Sequence, residues 1–237
     1  MFGCEFVPYC EVMCGRFALH SSDGVKLPGL RIPDLPFEAR YNIAPSQNVL
    51  VIADFGKGAE VRLLTWGLIP SWSSDGKGFI NARAETIEER LAFNESFRLR
   101  RCLIPADGFF EWKRSGRAKQ PFYFQLRDDS LLTFAGIWDT WRNRGQLVTS
   151  CAIITTSANE LVGEFHNRMP AILSPELHDA WLNRRTSRVE LLRMLKPFPS
   201  SLMKTRPVSS RVNSTENDSA DLLDRVEVET GQTPSLF

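Results

Sequence analysis

Through most of the chain, short apolar runs alternate with polar and turn residues, and β-branched or aromatic side chains dominate the runs. Residues 49–53 and 60–66 are two such runs, separated by a stretch holding Gly56 and Gly58, and this pattern predicts a hairpin. Over 122–127, Phe122, Phe124 and Leu126 fall on one face, the period of a half-buried strand. Segments 131–138 and 151–155 continue in the same style. Helical signals are sparser. The composition of 86–93 predicts a helix. Ser174 followed by Pro175 predicts an N-cap and first helical residue, opening a helix to about Asn183. Ser187 and Glu190 stand at capping-box spacing ahead of Leu191, Leu192 and Leu195. No strand–helix–strand rhythm recurs, so the expected fold is α+β, rich in antiparallel strands with a few peripheral helices. One domain is expected over 14–225, with a leader at 1–13 and a frayed polar tail at 226–237.

Composition narrows this little. The 237 residues are 43% hydrophobic and 24% charged, ordinary for a globular protein with a real core. A net charge of +1 means that any nucleic-acid binding must come from a local patch. No apolar run approaches the ~20 residues that span a bilayer. The first twelve residues carry Glu5 and Glu11 and lack the regions of a signal peptide. Five cysteines without framework spacing suit reduced thiols, so a cytoplasmic location is expected.

The chemistry centres on Cys14. Met13-Cys14-Gly15-Arg16-Phe17 reads like a protein's start, although twelve residues precede it. A cysteine at a free N-terminus places an amine of pKa ~7.7–8.0 beside a thiol of pKa ~8.5. Such a 1,2-aminothiol condenses with an aldehyde to an imine, and the thiol then closes a five-membered thiazolidine. An internal cysteine has only an amide nitrogen and cannot do this.

Four other segments stand out: Asn81-Ala82-Arg83-Ala84-Glu85-Thr86; Ala106-Asp107-Gly108-Phe109-Phe110-Glu111-Trp112-Lys113; Phe165-His166-Asn167-Arg168-Met169-Pro170; and Pro207-Val208-Ser209 through Val212-Asn213-Ser214. In this order, with Cys14, they resemble the SOS-response-associated peptidase (SRAP) family over nearly the whole chain. The resemblance implies barrel-like sheets and covalent capture of abasic sites in single-stranded DNA. It also implies the roles of matching residues: Cys14 as nucleophile, with Asn81, Glu111 and His166 around it. Arg16 and Arg83 match arginines that hold DNA phosphates, and Arg168 is a further DNA-binding candidate. Trp66 and Trp72 are candidates to stack on bases. Ser73 stands where the family often has a second tryptophan. No cofactor and no metal are expected, and the protein is expected to act as a monomer.

Each residue also has a plainer reading. Glu111 lies in an aromatic run that would raise its carboxyl pKa toward proton-transfer use, but a strand glutamate with aromatic neighbours facing the core fits the same letters. Asn81 reads equally as a turn residue. Lone histidines are more often packed or solvated than catalytic, and His20 and His178 are taken that way, whereas His166 sits in a loop-like stretch. Arginines are ordinarily solvated; Arg16 and Arg83 gain interest because each lies two positions from a proposed site residue, on one strand face. Arg98, Arg100, Arg101, Lys113, Arg114, Arg117 and Lys119 supply further positive charge for a backbone-tracking groove.

Three readings compete for the leader: translation starting at Met13, self-cleavage between Met13 and Cys14, or retention with loss of the chemistry. The first is preferred. Rival functions are an N-terminal-nucleophile glutamine amidotransferase, disfavoured because no Asn-Gly pair occurs for its oxyanion hole, and a non-covalent single-strand DNA-binding module. A metal clip of Cys10, Cys14 and His20 has irregular spacing and no second ligand pair.

Overall fold

The computed structural model describes residues 14–21, 38–115 and 118–228. The leader, Cys10 and the tail beyond 228 lie outside the described residues. Two sheets organise the rest. The first is built from β3 (Asn48–Asp54), β4 (Ala59–Trp66), β6 (Arg101–Ala106), β9 (Leu132–Asn143) and β10 (Gln146–Ser157), hydrogen-bonded in the order β10-β4-β3-β6-β9. Because β9 also pairs with β10, the ring closes into a five-stranded barrel. Two three-residue strands, β5 (Asn81–Arg83) and β11 (Arg168–Pro170), attach to the far end of β10. The second sheet is open and antiparallel: β12 (Met203–Pro207), β8 (Ala118–Leu126), β7 (Gly108–Ser115), β1 (Phe17–Leu19) and β2 (Arg40–Ile43), in that order.

The expected hairpin is present, with Val49 opposite Leu64 and Ile52 opposite Val61. Its turn is closed by Asp54, whose Oδ1 accepts from the N–H groups of Gly56 and Gly58 at 2.7 and 3.2 Å. The β9–β10 hairpin turns through Arg144 and Gly145, both with positive φ (46° and 83°), the two-residue geometry that matches strand twist. Closure of the barrel removes its edges, and its strands are dry on both faces: Ile52 and Leu103 lie on one, Phe134 and Ile153 on the other, and all four are buried.

One expectation is refined and another corrected. The sheets are not wholly antiparallel, since β10 runs parallel to β4 and to β5. The absence of a strand–helix–strand rhythm misleads here because the crossover from β4 to β10 contains strands as well as a helix. The helix expected over 86–93 is also displaced. A 3-10 turn covers Ala84–Thr86, turns follow, and α1 spans Asn94–Leu99. A helix over 86–93 would put Ile87 and Leu91 on one face, yet Ile87 is buried while Leu91 is 76% exposed. Core docking of Ile87 and Phe93 overrides the helical composition. The remaining helices are short: α2 (Glu160–Gly163), α3 (His178–Leu182) and α4 (Arg188–Met194). α4 carries the expected capping box from Ser187 and Glu190. Ahead of α3, Pro175 opens a 3-10 turn with Ser174 at the cap position, although the Ser174 hydroxyl bonds Glu176 rather than a helix N–H.

The sheets meet over an aromatic seam. Phe17 of β1 packs edge-on against Trp66 and Phe134 of the barrel, and Phe109 of β7 stacks on Phe124 while touching Phe134. This seam fixes where β1 and β7 lie, and therefore where the residues at their ends point.

Candidate active site

The site forms where β1 begins, β7 runs past it and the short strands flanking β10 approach. Register places Phe17 opposite Phe109 and Ala18 opposite Gly108. Continuing that register brings the residues before β1 level with Glu111. Alternation on β7 puts Glu111 on the same face as Phe109, toward the main core, while Phe110 belongs to a smaller cluster with Tyr123 and Val212. Glu111 is thus a carboxyl group 4% exposed, among aromatic side chains.

Its partner is Cys14. The Cys14 N–H donates to Glu111 Oε1 at 3.0 Å. Cys14 adopts a positive φ of 47°, a left-handed conformation unfavourable for a side chain bearing Cβ. Burial pushes the Glu111 carboxyl up to about 7, and the hydrogen bonds from Cys14 offset only part of that rise. The Cys14 thiol is itself buried and held well above its usual range, first by desolvation and then by the neighbouring Glu111 charge. Before reaction the sulfur is therefore a neutral thiol beside a carboxyl poised to exchange a proton near neutrality.

The opposite wall comes from the segment leading into β11. Cys14 Sγ lies 4.0 Å from the carbonyl oxygen of Arg168. His166 Nδ1 accepts from the Arg168 backbone N–H at 3.0 Å, which leaves the ring proton on Nε2. Asn81 opens β5, half-buried, with Arg83 exposed two residues on and buried Ala82 between them. The expected shared face of Asn81 and Arg83 is therefore present.

Three of the residues expected at the DNA have partners within the fold. Trp66 is 1% exposed, donates its indole N–H to the Ile80 carbonyl at 2.8 Å and packs on Phe17, so it is core and does not reach a base. The half-buried Arg16 guanidinium donates to Asn42 Oδ1 at 2.8 Å and to the carbonyls of Val212 and Asn213. It staples the strand after Cys14 to the 210–213 turn, which gives the fourth motif a structural task. Arg168 is held by Glu85, at 2.6 and 2.9 Å, and by the Thr155 carbonyl at 2.6 Å. The wider basic groove is corrected in part, because Arg101 is buried among carbonyls and Arg100 pairs with Asp139 and Glu95. Arg83 and Lys113 remain exposed near the site, the latter 5.2 Å from the Phe165 ring and weakly paired with Glu164.

Trp72 is 63% exposed on a loop whose backbone is pinned at three points. The N–H of Ile69 donates to Ser150 Oγ, that of Ser71 to Asp139, and the Ser73 carbonyl accepts from Trp141. His20 stacks on Tyr41, and His178 is buried, each as read from sequence. Glu85 and Thr155, unmarked by any local signal in the sequence, hold Arg168 through a cross-strand relation that no spacing reveals. Among the described residues, no group of three or more His, Cys, Asp or Glu side chains converges on a metal position, and no helix is long and apolar enough to cross a membrane.

Known proteins resemble this chain in sequence and in fold. The sequence profile of the SOS response associated peptidase (SRAP) family matches residues 13–215. The abasic site processing protein YoaM of Bacillus subtilis is 42% identical over 222 residues, covering 90% of this chain and 98% of its own length. The abasic site processing protein YedK of Escherichia coli is 32% identical, over 90% of this chain and all of its own. A solved protein from Bacteroides thetaiotaomicron superposes with a TM-score of 0.72 at 32% identity, over 79% of this chain and 85% of its own. A match reaching from the residue before Cys14 through the 210–213 turn shows that this chain belongs to the SOS response associated peptidase family.

Proposed function

We propose that this chain processes abasic sites by trapping them covalently in single-stranded DNA, through the amine and thiol of Cys14. The observation that carries this reading is the 3.0 Å contact between Cys14 nitrogen and the Glu111 carboxyl, a group whose pKa is raised to about 7. Relatives such as YoaM and YedK bear the name abasic site processing protein, which supports the same substrate class here.

The reactive form begins at Cys14, because a peptide nitrogen cannot form an imine. In the chain as it stands, the left-handed φ of Cys14 costs on the order of 1 kcal/mol. That dihedral exists only while a residue precedes Cys14, so a chain starting there is free of the penalty. The freed amine occupies the position of the present N–H donor and attacks the aldehyde of the ring-opened deoxyribose. Glu111 takes a proton from the attacking nitrogen and returns it to the departing hydroxyl, releasing water and leaving the imine. The thiol then adds across the C=N bond. Carbon–sulfur bond formation transfers the sulfur's proton to nitrogen, with Glu111 within reach of both. Aldehyde and aminothiol become thiazolidine and water, without oxidant or cofactor. His166, with its proton on Nε2, donates to the sugar oxygen, and Asn81 orients the hydroxyl groups. The pieces lie within one chain, so a monomer suffices.

Protein beginning at Cys14 is incubated with an end-labelled oligonucleotide carrying one abasic site, then run on a denaturing gel. A slow band is expected, absent with Cys14→Ser and with the nitrogen acylated. A non-covalent binding module gives a shift only in native gels, and a glutamine amidotransferase releases ammonia from glutamine instead. Slow-band formation by protein whose Cys14 nitrogen is acylated overturns the mechanism.

A further inference from the structure

Resting on that reading, we infer that Glu85 is a positioning residue for this reaction, acting through Arg168. The placement of the strands shows why such a residue is needed. β5 carries Asn81 and Arg83, and β11 follows His166; each is only three residues long, and each is anchored in the sheet by β10. Thr155 of β10 pairs with Arg83 on one side and with Pro170 on the other, so the two halves of the site sit across one strand from each other. Three ladder positions on each side hold register weakly.

Glu85 spans that gap. It lies in the 3-10 turn directly after β5 and grips the guanidinium of Arg168, the first residue of β11, with both carboxylate oxygens at 2.6 and 2.9 Å. The same guanidinium donates to the Thr155 carbonyl of the strand between them, at 2.6 Å. A bidentate pair fixes orientation as well as distance, which a single contact or a point charge does not. The grip holds the Glu85 carboxylate below its usual range, chiefly through the Arg168 hydrogen bonds.

Arg168 conveys this to the chemistry through its backbone. Its N–H holds His166 Nδ1 at 3.0 Å, and its carbonyl faces Cys14 Sγ at 4.0 Å. A carboxylate that touches no reacting atom therefore sets both where the imidazole points and where the sulfur rests. Displacement of reacting groups by about 1 Å costs on the order of 10²-fold in rate, whereas an anionic carboxylate is no partner for a DNA phosphate, so affinity is not expected to fall with it.

The test separates rate from affinity. Single-turnover crosslinking to the abasic oligonucleotide is followed over a range of protein concentrations, giving a limiting rate and a half-saturating concentration. For Glu85→Gln, which keeps the shape but only one carbonyl oxygen, the limiting rate is expected to fall roughly tenfold or more. The half-saturating concentration is expected to stay within about twofold, since no DNA contact is removed. Glu85→Asp retains a two-oxygen acceptor and is expected to recover most of the rate. Glu89→Gln removes the same charge from an exposed neighbour and is expected to match wild type. A Glu85→Gln enzyme with the wild-type limiting rate overturns the positioning role. So does a Glu89→Gln effect of equal size, which assigns the change to charge alone. Failure of wild-type protein beginning at Cys14 to crosslink overturns the underlying reaction instead, and the two failures are read from different lanes.

Discussion

At the scale of single residues, Glu111 is kept where it is destabilising. Its carboxyl projects from β7 into a buried setting beside Cys14 and is pushed up to about 7 from an unfolded value of 4.5. A carboxyl with a folded pKa above the unfolded one binds more protons in the native state between those two values. Native stability is therefore fully retained below pH ~4.5 and falls as pH rises to about 7. A shift of that size corresponds to about 3 kcal/mol above neutrality. Glu111→Gln does not titrate and keeps an oxygen to accept from Cys14. In the full-length chain it is expected to gain stability over wild type as pH rises from 5 to 8, by urea denaturation, with little difference at pH 5. The same variant in protein beginning at Cys14 is expected to crosslink abasic DNA much more slowly. Stability that shows no pH-dependent difference from wild type removes the raised pKa; an undiminished rate removes Glu111 from proton transfer. Freeing the Cys14 amine places an ammonium beside this carboxylate, which favours the charged form, so processing relieves part of the same cost.

At the scale of elements, Arg101 does work that its letter in the sequence disguises. It reads as one of a basic run, yet it is buried at the start of β6, with its guanidinium on four carbonyls: Trp181, Asn183, Phe97 and Arg98. These belong to the ends of α1 and α3, helices too short to hold themselves. Burial draws its pKa down to about 10, still charged at neutrality. Arg101→Leu leaves those carbonyls without their donor and is expected to cost about 3 kcal/mol or more in urea denaturation. Arg101→Lys recovers little, because one ammonium does not match four divergent acceptors. A loss within about 0.5 kcal/mol, typical of surface sites, contradicts this assignment. Arg101 also marks where sequence reading stops. The hairpin at Gly56 and Gly58, the capping box at Ser187 and the strand around Phe124 were legible because their signals are local. Cys14 was legible as chemistry because an aminothiol is unusual in itself, whereas Glu111, whose letters fit a plain strand glutamate, was legible only beside Cys14 and the family resemblance. The fates of Arg16, Arg101, Arg168 and Trp66 were not legible, since a guanidinium or an indole looks the same whether it faces solvent or a buried carbonyl. The parallel pairing of β10 was hidden for a related reason, being a property of the barrel's closure and of no single segment.

At the scale of the whole molecule, a net charge of +1 means that DNA is met by local cations and not by a global field. Arg83 and Lys113 are exposed beside the site, and Trp72 offers an indole on a loop held by Ser150, Asp139 and Trp141. Under the proposed reaction, stacking on Trp72 and phosphate contact at Arg83 both help to hold DNA beside the covalent capture. Two variants read the two contributions apart when binding to an oligonucleotide with an unreactive abasic analogue is measured across salt concentrations. Each single-strand phosphate contact contributes a slope of about 0.7 in log affinity against log salt. Arg83→Ala is expected to flatten the slope by about that amount and to weaken binding most at low salt. Trp72→Ala is expected to lower affinity by about 1–3 kcal/mol at every salt concentration and to leave the slope unchanged, because stacking releases no counterions. Equal slopes for wild type and Arg83→Ala remove that phosphate contact. A change of slope with Trp72→Ala shows instead that the loop orders a charged surface, and the balance between stacking and charge then has to be reassigned.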